Sequence, residues 1–339
     1  MKKKNIILSL SAVVLFILLF FAVQRLLCPK YAETLVEGGM IEEYYSSPKD
    51  HDVIFVGDCE VYANFSPLDM YEEYGAVSYI RGTSQQLMWQ SYYIIEETLR
   101  YEIPEVIVLN VNALRYSEPV KEEYNRLCID RMKWSKSKIG IIKASMTEEE
   151  SFISYVFPIL RYHSRYGNLT GEDFRYFFGG KENTFCGHLV NNEVLPVSSL
   201  PTKRALPDYT FAENTMEWLD RITALCKENG VSLVLIKAPS LYPYWYDEYD
   251  AQVVAYAEKN GLKYYNLYEK RDEIGIDYST DTYDGGYHLN TAGAKKLSSY
   301  FGNILVNELG IPDRRNEPGI ADHYDGLLEK YKEAIGQKE

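Results

Sequence analysis

The chain has 339 residues, with 49 acidic against 36 basic side chains and a formal net charge of −13. Three of the lysines lie at positions 2–4, ahead of a long apolar run. The rest of the chain is therefore still more acidic and keeps no basic tract to neutralise phosphates, which excludes nucleic acid as a partner. A composition of 46% hydrophobic and 25% charged residues is that of a folded protein and disfavours disorder.

An apolar run near the N-terminus predicts a membrane anchor. Residues 6–23 are uncharged and long enough to span a bilayer as a helix. A cleavable signal peptide has a shorter apolar region, of about 7–15 residues. The lysine cluster is expected to stay cytoplasmic. We therefore expect a single-pass protein of the cell membrane, with residues 1–30 as lysine cluster and uncleaved anchor and the rest of the chain extracytoplasmic.

After residue 50, short apolar runs alternate with segments of helical periodicity. This alternation predicts an α/β fold, a flavodoxin-like three-layer sandwich with a mainly parallel sheet. Helices are predicted between the strands, and the last one is marked by Leu297, Phe301, Leu305 and Leu309. The predicted strands cover residues 53–56, 76–80, 106–109, 231–236 and 262–266.

Residues 113–210 interrupt the alternation and predict an inserted helical, aromatic-rich cap between the two halves of the α/β domain, 31–112 and 211–310. Residues 311–339 are predicted to form a polar C-terminal tail with a short helix at 325–335. The chain has 31 tyrosines, whose apolar ring and polar tip suit surfaces that hold polar or sugar-like ligands. The aromatic cluster of the cap contains Tyr155, Phe157, Tyr162, Tyr166, Phe174, Tyr176, Phe177 and Phe178.

The cysteines are not spaced as metal ligands, and we expect neither metal nor other cofactor. Cys226 falls on the apolar face of a predicted helix and is expected in the core, whereas Cys59 is expected in a turn after a strand. A metal-dependent hydrolase built on Asp281, Asp284 and His288 has little support, because no second histidine lies at ligand spacing. The five cysteines are Cys28, Cys59, Cys128, Cys186 and Cys226.

Polar segments follow the predicted strands at their carboxyl ends, where open parallel sheets bind ligands. If the strands are placed correctly, these segments share one rim of the sheet. They are residues 57–60, 81–84, 110–112, 237–240 and, before the last helix, 281–290.

The residues of this rim suit nucleophilic acyl transfer. Cys59 offers a thiol, His288 could take its proton, and Asp284 could orient the imidazole. The backbone N–H groups of Cys59 and Gly82, with the Asn112 amide, could hold an oxyanion.

Each of these residues also has an ordinary structural alternative. Cys59 could be a packed small hydrophobe, His288 a hydrogen-bonding residue at a helix start, Asp284 a turn residue and Asn112 a turn or cap. The neighbouring carboxylates of Asp58 and Glu60 also oppose a thiolate at Cys59.

In this order, the segments resemble the SGNH or GDSL-like hydrolase superfamily, in particular its membrane-anchored bacterial branch related to DltD-like D-alanyl transfer and alginate-type O-acetylation proteins. The resemblance covers residues 53–112 and 216–309. It places the nucleophile turn at 57–59, the second-block glycine at Gly82 and the third-block asparagine at Asn112, less securely at Asn110. The last block falls on Asp284, His288, residues 289–290 and Gly293.

Three features depart from that family pattern: the nucleophile position holds Cys59 instead of serine, the third block lacks its glycine, and Asp284 precedes His288 by four positions instead of three. The resemblance implies an extracytoplasmic esterase or O-acyltransferase acting on a cell-envelope glycan or glycolipid. The alternative is a catalytically silent glycan-binding or assembly subunit that partners a multispanning membrane O-acyltransferase. A Cys59 sulfur near His288 favours catalysis, and a sulfur facing the core favours binding.

Overall fold

A computed structural model describes residues 2–29, 37–119, 121–178 and 184–336. Its strands are β1 Val53–Gly57, β2 Ser78–Gly82, β3 Val106–Asn110, β4 Ser232–Lys237 and β5 Lys263–Asn266. Two 3-10 helices cover Val111–Arg115 and His163–Asn168. The α-helices are α1 Lys2–Leu27, α2 Glu37–Glu43, α3 Cys59–Asn64, α4 Pro67–Tyr74, α5 Met88–Thr98, α6 Glu122–Ile129, α7 Lys136–Ser145, α8 Phe152–Val156, α9 Ile159–Tyr162, α10 Gly171–Phe178, α11 Glu213–Glu228, α12 Asp247–Asn260, α13 Arg271–Ile274, α14 Thr291–Asn307 and α15 Pro318–Ala334.

The five strands form one sheet in the order β2-β1-β3-β4-β5, and every neighbouring pair is parallel. Strands β1 to β3 are buried along their whole length, as expected for near-continuous apolar runs in a sheet that is covered on both faces. This strand order is the flavodoxin-like one, whose binding crevice lies where the order reverses, between β1 and β3. The predicted fold class is confirmed.

Side chains of one strand alternate between two helical layers, as the two-residue period of a strand requires. Ile54 and Val56 belong to one buried cluster, which includes residues of α5, α11 and α12. Val53 and Phe55 belong to the other, which includes residues of α3 and α14. Cys226 is buried in the first cluster, in agreement with its predicted core position.

The predicted bounds of β2 differ from the structure by two residues at each end. We expected β2 to end at Ile80, but Arg81 and Gly82 continue the ladder and pair with Val56 and Gly57. A buried arginine does not end a strand when its backbone still has partners. The extension places Gly82 directly beside the end of β1.

The C-terminal segment forms a longer helix than predicted. The expected helix began at residue 325, but α15 begins at Pro318, a favourable first helical residue. Ile320, Tyr324 and Tyr331 are buried in a cluster with Leu68 and Tyr71. The predicted polar tail is therefore in part an amphipathic helix that packs against α4.

The insertion contacts two separate parts of the molecule. Its aromatic part contacts the end of α1 through α9, the second 3-10 helix and α10, and the ring centroids of Phe20 and Phe157 are 5.9 Å apart. Residues 191–197 instead hydrogen-bond to the loop before α14. Helix α1 is mostly exposed, and its segment Lys3–Leu27 is long and apolar enough to cross a membrane.

Candidate active site

The turn after β1 positions Cys59. A side chain at Gly57 would approach Asn110 Cβ to 2.8 Å, so the close passage of β1 and β3 requires glycine there. The Asp58 carboxylate caps α3 by accepting a hydrogen bond from the Glu60 N–H at 3.1 Å. Cys59 is thus the first residue of a short helix, a correction to the turn expected for it.

His288 and Asp284 meet in the loop before α14. The imidazole Nδ1 lies 2.5 Å from Asp284 Oδ2, and the other carboxylate oxygen, Oδ1, accepts from the His288 backbone N–H at 2.8 Å. Both glycines between them have positive φ, 75° at Gly285 and 101° at Gly286. These left-handed residues let the loop fold back, so a spacing of four still brings carboxylate and imidazole together.

The side chains of Cys59 and His288, 229 positions apart in the sequence, lie near enough for each to shift the pKa of the other, through its charge and through side-chain hydrogen bonding. Since Asp284 is bonded to Nδ1 of the same ring, the three side chains form a continuous thiol–imidazole–carboxylate series. The ring of Tyr283 stacks on the His288 imidazole, with centroids 5.7 Å apart and planes at 11°. The structure therefore brings together the three residues predicted as catalytic, at the carboxyl edge of the sheet.

Burial and neighbouring charges define the protonation of this series. Burial raises the pKa of the Cys59 thiol above its ordinary value of 9.0, and the charges of Asp58 and Glu60 act in the same direction, although His288 opposes them. Burial would lower the pKa of His288, but the negative charge that Cys59 carries once it is ionised, together with the hydrogen bond and charge of Asp284, outweighs burial and raises that pKa well above 6.5. Burial therefore opposes ionisation of the thiol on its own, whereas a thiolate, once formed, holds the proton on His288.

The predicted oxyanion residues lie around the same turn. A side chain on Gly82 would approach the Gly57 carbonyl oxygen to 2.9 Å, so the Gly82 backbone lies against the segment that leads to Cys59. The Asn112 amide nitrogen donates to Asp58 Oδ2 at 2.6 Å. Asn110, the less secure candidate, donates to Asp58 Oδ1 at 3.0 Å and to Glu60 Oε2 at 2.9 Å. Both asparagines thus fix the segment that carries Cys59.

A buried ion pair below Cys59 was missed by the sequence interpretation. Lys237, at the end of β4, places its Nζ 2.9 Å from both carboxylate oxygens of Glu60, and their side chains are 0% and 2% exposed. The same ammonium group donates to the Ala238 carbonyl at 2.7 Å. The available signal was a lysine that ends an otherwise apolar strand and so needs a buried partner.

Asn64, at the end of α3, was also missed. Its Oδ1 accepts from the Leu289 backbone N–H at 2.8 Å, and its Nδ2 donates to Ser240 Oγ at 3.0 Å. This fully buried amide joins the helix that begins with Cys59 to the loop that carries His288. No local pattern marks such a residue, because its partners lie 176 and 225 positions away.

An exposed aromatic surface borders the series. Tyr287, next to His288 in the chain, is 50% exposed, and its ring stacks on that of Tyr242 at 5.0 Å. Tyr242 in turn donates to the Ser199 carbonyl at 3.1 Å. We call the stacked Tyr242 and Tyr287 rings the tyrosine platform.

Among the residues that the structure describes, no group of histidine, cysteine or acidic side chains is arranged to hold a metal ion. Asp281, which the metal-dependent alternative requires, is buried and pairs with Lys296 Nζ at 2.7 Å. Asp281 therefore anchors the start of the loop to α14.

Comparison with known proteins adds a likeness of fold. No family model matches the sequence, and no curated protein matches it. A "putative acylhydrolase" from Bacteroides fragilis is 12% identical, covers 82% of this chain and 100% of its own, and has a TM-score of 0.39. A "GDSL-like lipase" from Bacteroides thetaiotaomicron is 12% identical, covers 80% and 98%, and has a TM-score of 0.38. At this level of similarity, the function has to be inferred from the site itself.

Proposed function

We propose that the protein is an SGNH-like esterase or O-acyltransferase in which Cys59 is the nucleophile, His288 the general base and acid, and Asp284 the residue that orients His288. One observation carries the proposal: Cys59 interacts with an imidazole that shifts its pKa, and the Nδ1 atom of that imidazole is bonded to a carboxylate. This is the arrangement that activates a weak nucleophile for covalent catalysis.

In the first half of the reaction, His288 removes the thiol proton as the Cys59 sulfur attacks the acyl carbonyl carbon. The tetrahedral intermediate then collapses, the ester C–O bond breaks, and His288 returns the proton to the leaving alcohol oxygen. The product is a thioester on Cys59. Because thioesters are more labile to attack than oxygen esters, the acyl group is ready for onward transfer.

In the second half, His288 deprotonates the acceptor, which is water in an esterase and a hydroxyl group in a transferase. The acceptor oxygen attacks the thioester carbonyl, the C–S bond breaks, and the sulfur regains its proton from His288. We assign the developing oxyanion to the backbone N–H groups of Cys59 and Gly82 and to Asn112. An amide nitrogen carries two hydrogens, so donation to Asp58 leaves one for the substrate.

We further propose that the substrate is an O-acyl group of a cell-envelope glycan or glycolipid and that the domain is held outside the cytoplasm by α1. Two features support this: a helix long and apolar enough to span a membrane, and the tyrosine platform beside His288. An exposed tyrosine ring offers a flat apolar face with a polar rim, which suits the face of a sugar.

The alternative of a silent glycan-binding subunit that docks on a multispanning membrane O-acyltransferase predicts a Cys59 sulfur directed into the core. The interaction of Cys59 with His288 supports catalysis over that alternative.

Replacement of Cys59 tests the proposal. Cys59→Ala is expected to lower turnover of a model acetyl ester to near the uncatalysed rate, with an unchanged circular dichroism spectrum. Cys186→Ala is the matched control, because Cys186 is another half-buried cysteine, and it should retain activity. Unchanged turnover by Cys59→Ala would remove Cys59 from the mechanism.

A further inference from the structure

The end of α1 is in contact with residues 152–178, which comprise α8, α9, a 3-10 helix and α10. We call residues 152–178 the collar. Phe20 packs edge-on against Phe157, and Arg165 Nη1 donates to the Leu27 carbonyl at 2.6 Å. The apolar helix and the collar are therefore one packed unit.

The position of these contacts along α1 sets the depth of the collar. Residues 6–23 rise by about 1.5 Å each, or ~27 Å in total, close to the ~30 Å hydrocarbon thickness of a bilayer. Phe20 lies three residues before the end of that run, so it is about 4–5 Å inside the apolar layer. Phe157 touches Phe20, which places the nearest part of the collar at the boundary between acyl chains and headgroups.

The collar exposes large apolar side chains at this level. Phe178 is 80% exposed and Tyr166 77%, and Leu160, Ile153 and Phe174 are between 44% and 54% exposed. Burial of side chains of this size away from water is favourable, and several exposed on one short segment point to an interaction surface. Aromatic residues in particular favour the membrane interface.

Basic side chains accompany the apolar ones. The side chains of Arg161 and Arg175 are 41% and 60% exposed, although they pair with Glu122 and Glu172. Long arginine side chains can lie along apolar surface while the guanidinium reaches phosphate oxygens. The surface thus combines groups for acyl chains with groups for lipid headgroups.

We infer that the collar is a membrane-docking surface. Its partner is the lipid of the leaflet on the side where α1 ends and the folded domain begins. The continuity of the collar with the lipid-exposed part of α1 argues for lipid over a protein partner. The inference rests on the proposed anchor and deepens it: the domain is held against the bilayer by two contacts and does not swing on a single helix. The rim of the sheet then keeps a fixed height and orientation above the membrane surface.

Photo-crosslinking in lipid nanodiscs tests this with the full-length chain. p-Benzoylphenylalanine is placed singly at Phe178 and Tyr166 in the collar, at Leu15 in α1 and at Val254 in α12. Leu15 is 57% exposed and reports the anchor, whereas Val254, an exposed apolar residue of the helix beside edge strand β5, is the matched control. Lipid adducts are counted by mass spectrometry.

Lipid adducts at Phe178 and Tyr166 in a yield comparable to Leu15, with few at Val254, are the expected result. Adducts at Leu15 alone would overturn the proposal that the collar docks on lipid and would leave the proposed anchor supported. An absence of adducts at Leu15 as well would overturn both. Crosslinks from Phe178 to a second protein chain would likewise overturn the assignment of lipid as partner.

Discussion

At the scale of single residues, the site places two carboxylates next to the thiol of Cys59. Asp58 and Glu60 flank Cys59 and oppose its ionisation, yet neither carboxylate is free. Asp58 accepts hydrogen bonds from both asparagines, and Glu60 pairs with Lys237. The Glu60 charge is thus paired with an ammonium group and the Asp58 carboxylate is held by two amide donors, while the proposed base, His288, comes from a different loop.

Asp284→Asn is expected to lower kcat/KM for a model ester by at least about 10²-fold, because general-base catalysis loses its oriented, charged partner. The acidic limb of the pH–rate profile should also move to lower pH. The Asp284 charge raises the pKa of His288, so without it the imidazole loses its proton at lower pH and the base becomes available earlier. A profile of kcat/KM against pH measures both effects, and a shift of that limb to higher pH would refute the assignment.

Lys237→Met is expected to lower the free energy of unfolding by about 3–5 kcal/mol, since it leaves a buried carboxylate without its counter-ion. Denaturant titration measures the loss. The double variant Lys237→Met with Glu60→Gln should recover part of it, because the uncompensated charge is gone. Lys270→Met, which breaks an exposed pair with Glu273, serves as control and should leave unfolding unchanged. An equal effect of Lys237→Met and Lys270→Met would show that the buried pair is not structural.

At the scale of elements, the loop before α14 decides whether imidazole and thiol meet. Thr282 Oγ1 donates to the His288 carbonyl at 2.7 Å and accepts from the Gly286 N–H at 2.8 Å. Residues 191–197 add backbone hydrogen bonds on the outer side, Leu195 N–H to the Thr282 carbonyl and Gly285 N–H to the Leu195 carbonyl. Hydrogen bonds within the loop and hydrogen bonds to residues 191–197 therefore hold it in place.

Substitutions at the two loop glycines distinguish the effect of backbone strain from that of side-chain crowding. A side chain at Gly285 would meet open space, whereas one at Gly286 would lie 2.9 Å from both Leu241 and Val197. Gly285→Ala should therefore cost only the left-handed penalty of about 1–2 kcal/mol in stability. Gly286→Ala should in addition displace His288 and lower kcat.

Stability and steady-state rates of both variants provide the comparison. Gly275→Ala is the matched control, because Gly275 also has a positive φ and open space but lies outside the loop. If Gly286→Ala kept full kcat, the loop would not control the position of His288.

The sequence predicts the elements with local signals well and the long-range polar contacts poorly. Apolar runs located every strand, and the order of polar segments brought Cys59, Asp284 and His288 to one rim. The end of β2 was missed because ladder pairing kept a buried Arg81 in the strand. Asn64 and Lys237 were missed as site residues because their roles depend on partners far away in the sequence. The roles of the candidate residues stay predictions until activity is measured.

At the scale of the whole molecule, the N-terminal helix α1 differs from the rest of the chain in charge and hydropathy. The body is acidic and mixed in composition, whereas α1 carries a mean hydropathy of 3.1 over its apolar window. Helix α15 returns to the body, where the Tyr331 hydroxyl donates to Asp69 at 2.6 Å. The division suits a folded domain held close to one membrane.

Washing membranes at alkaline pH tests the anchor. The full-length chain should stay in the pellet, since a spanning helix resists extraction that removes peripheral proteins. Leu15→Lys combined with Leu18→Lys should prevent insertion, because each central lysine costs about 2.5–3.5 kcal/mol. The matched pair Leu15→Ala with Leu18→Ala should insert normally. A wild-type chain found in the supernatant with a shortened N-terminus would show that residues 6–23 are removed as a leader.

Intact-protein mass spectrometry after incubation with an acetyl donor tests the nucleophile itself. We predict one acetyl adduct per chain, located by peptide mapping on Cys59, formed in the wild type and in Cys186→Ala and absent from Cys59→Ala and His288→Ala. An adduct of equal yield in Cys59→Ala would show that the Cys59 thiol does not take the acyl group. Turnover of the donor with no covalent species at any time would contradict the account in the same way.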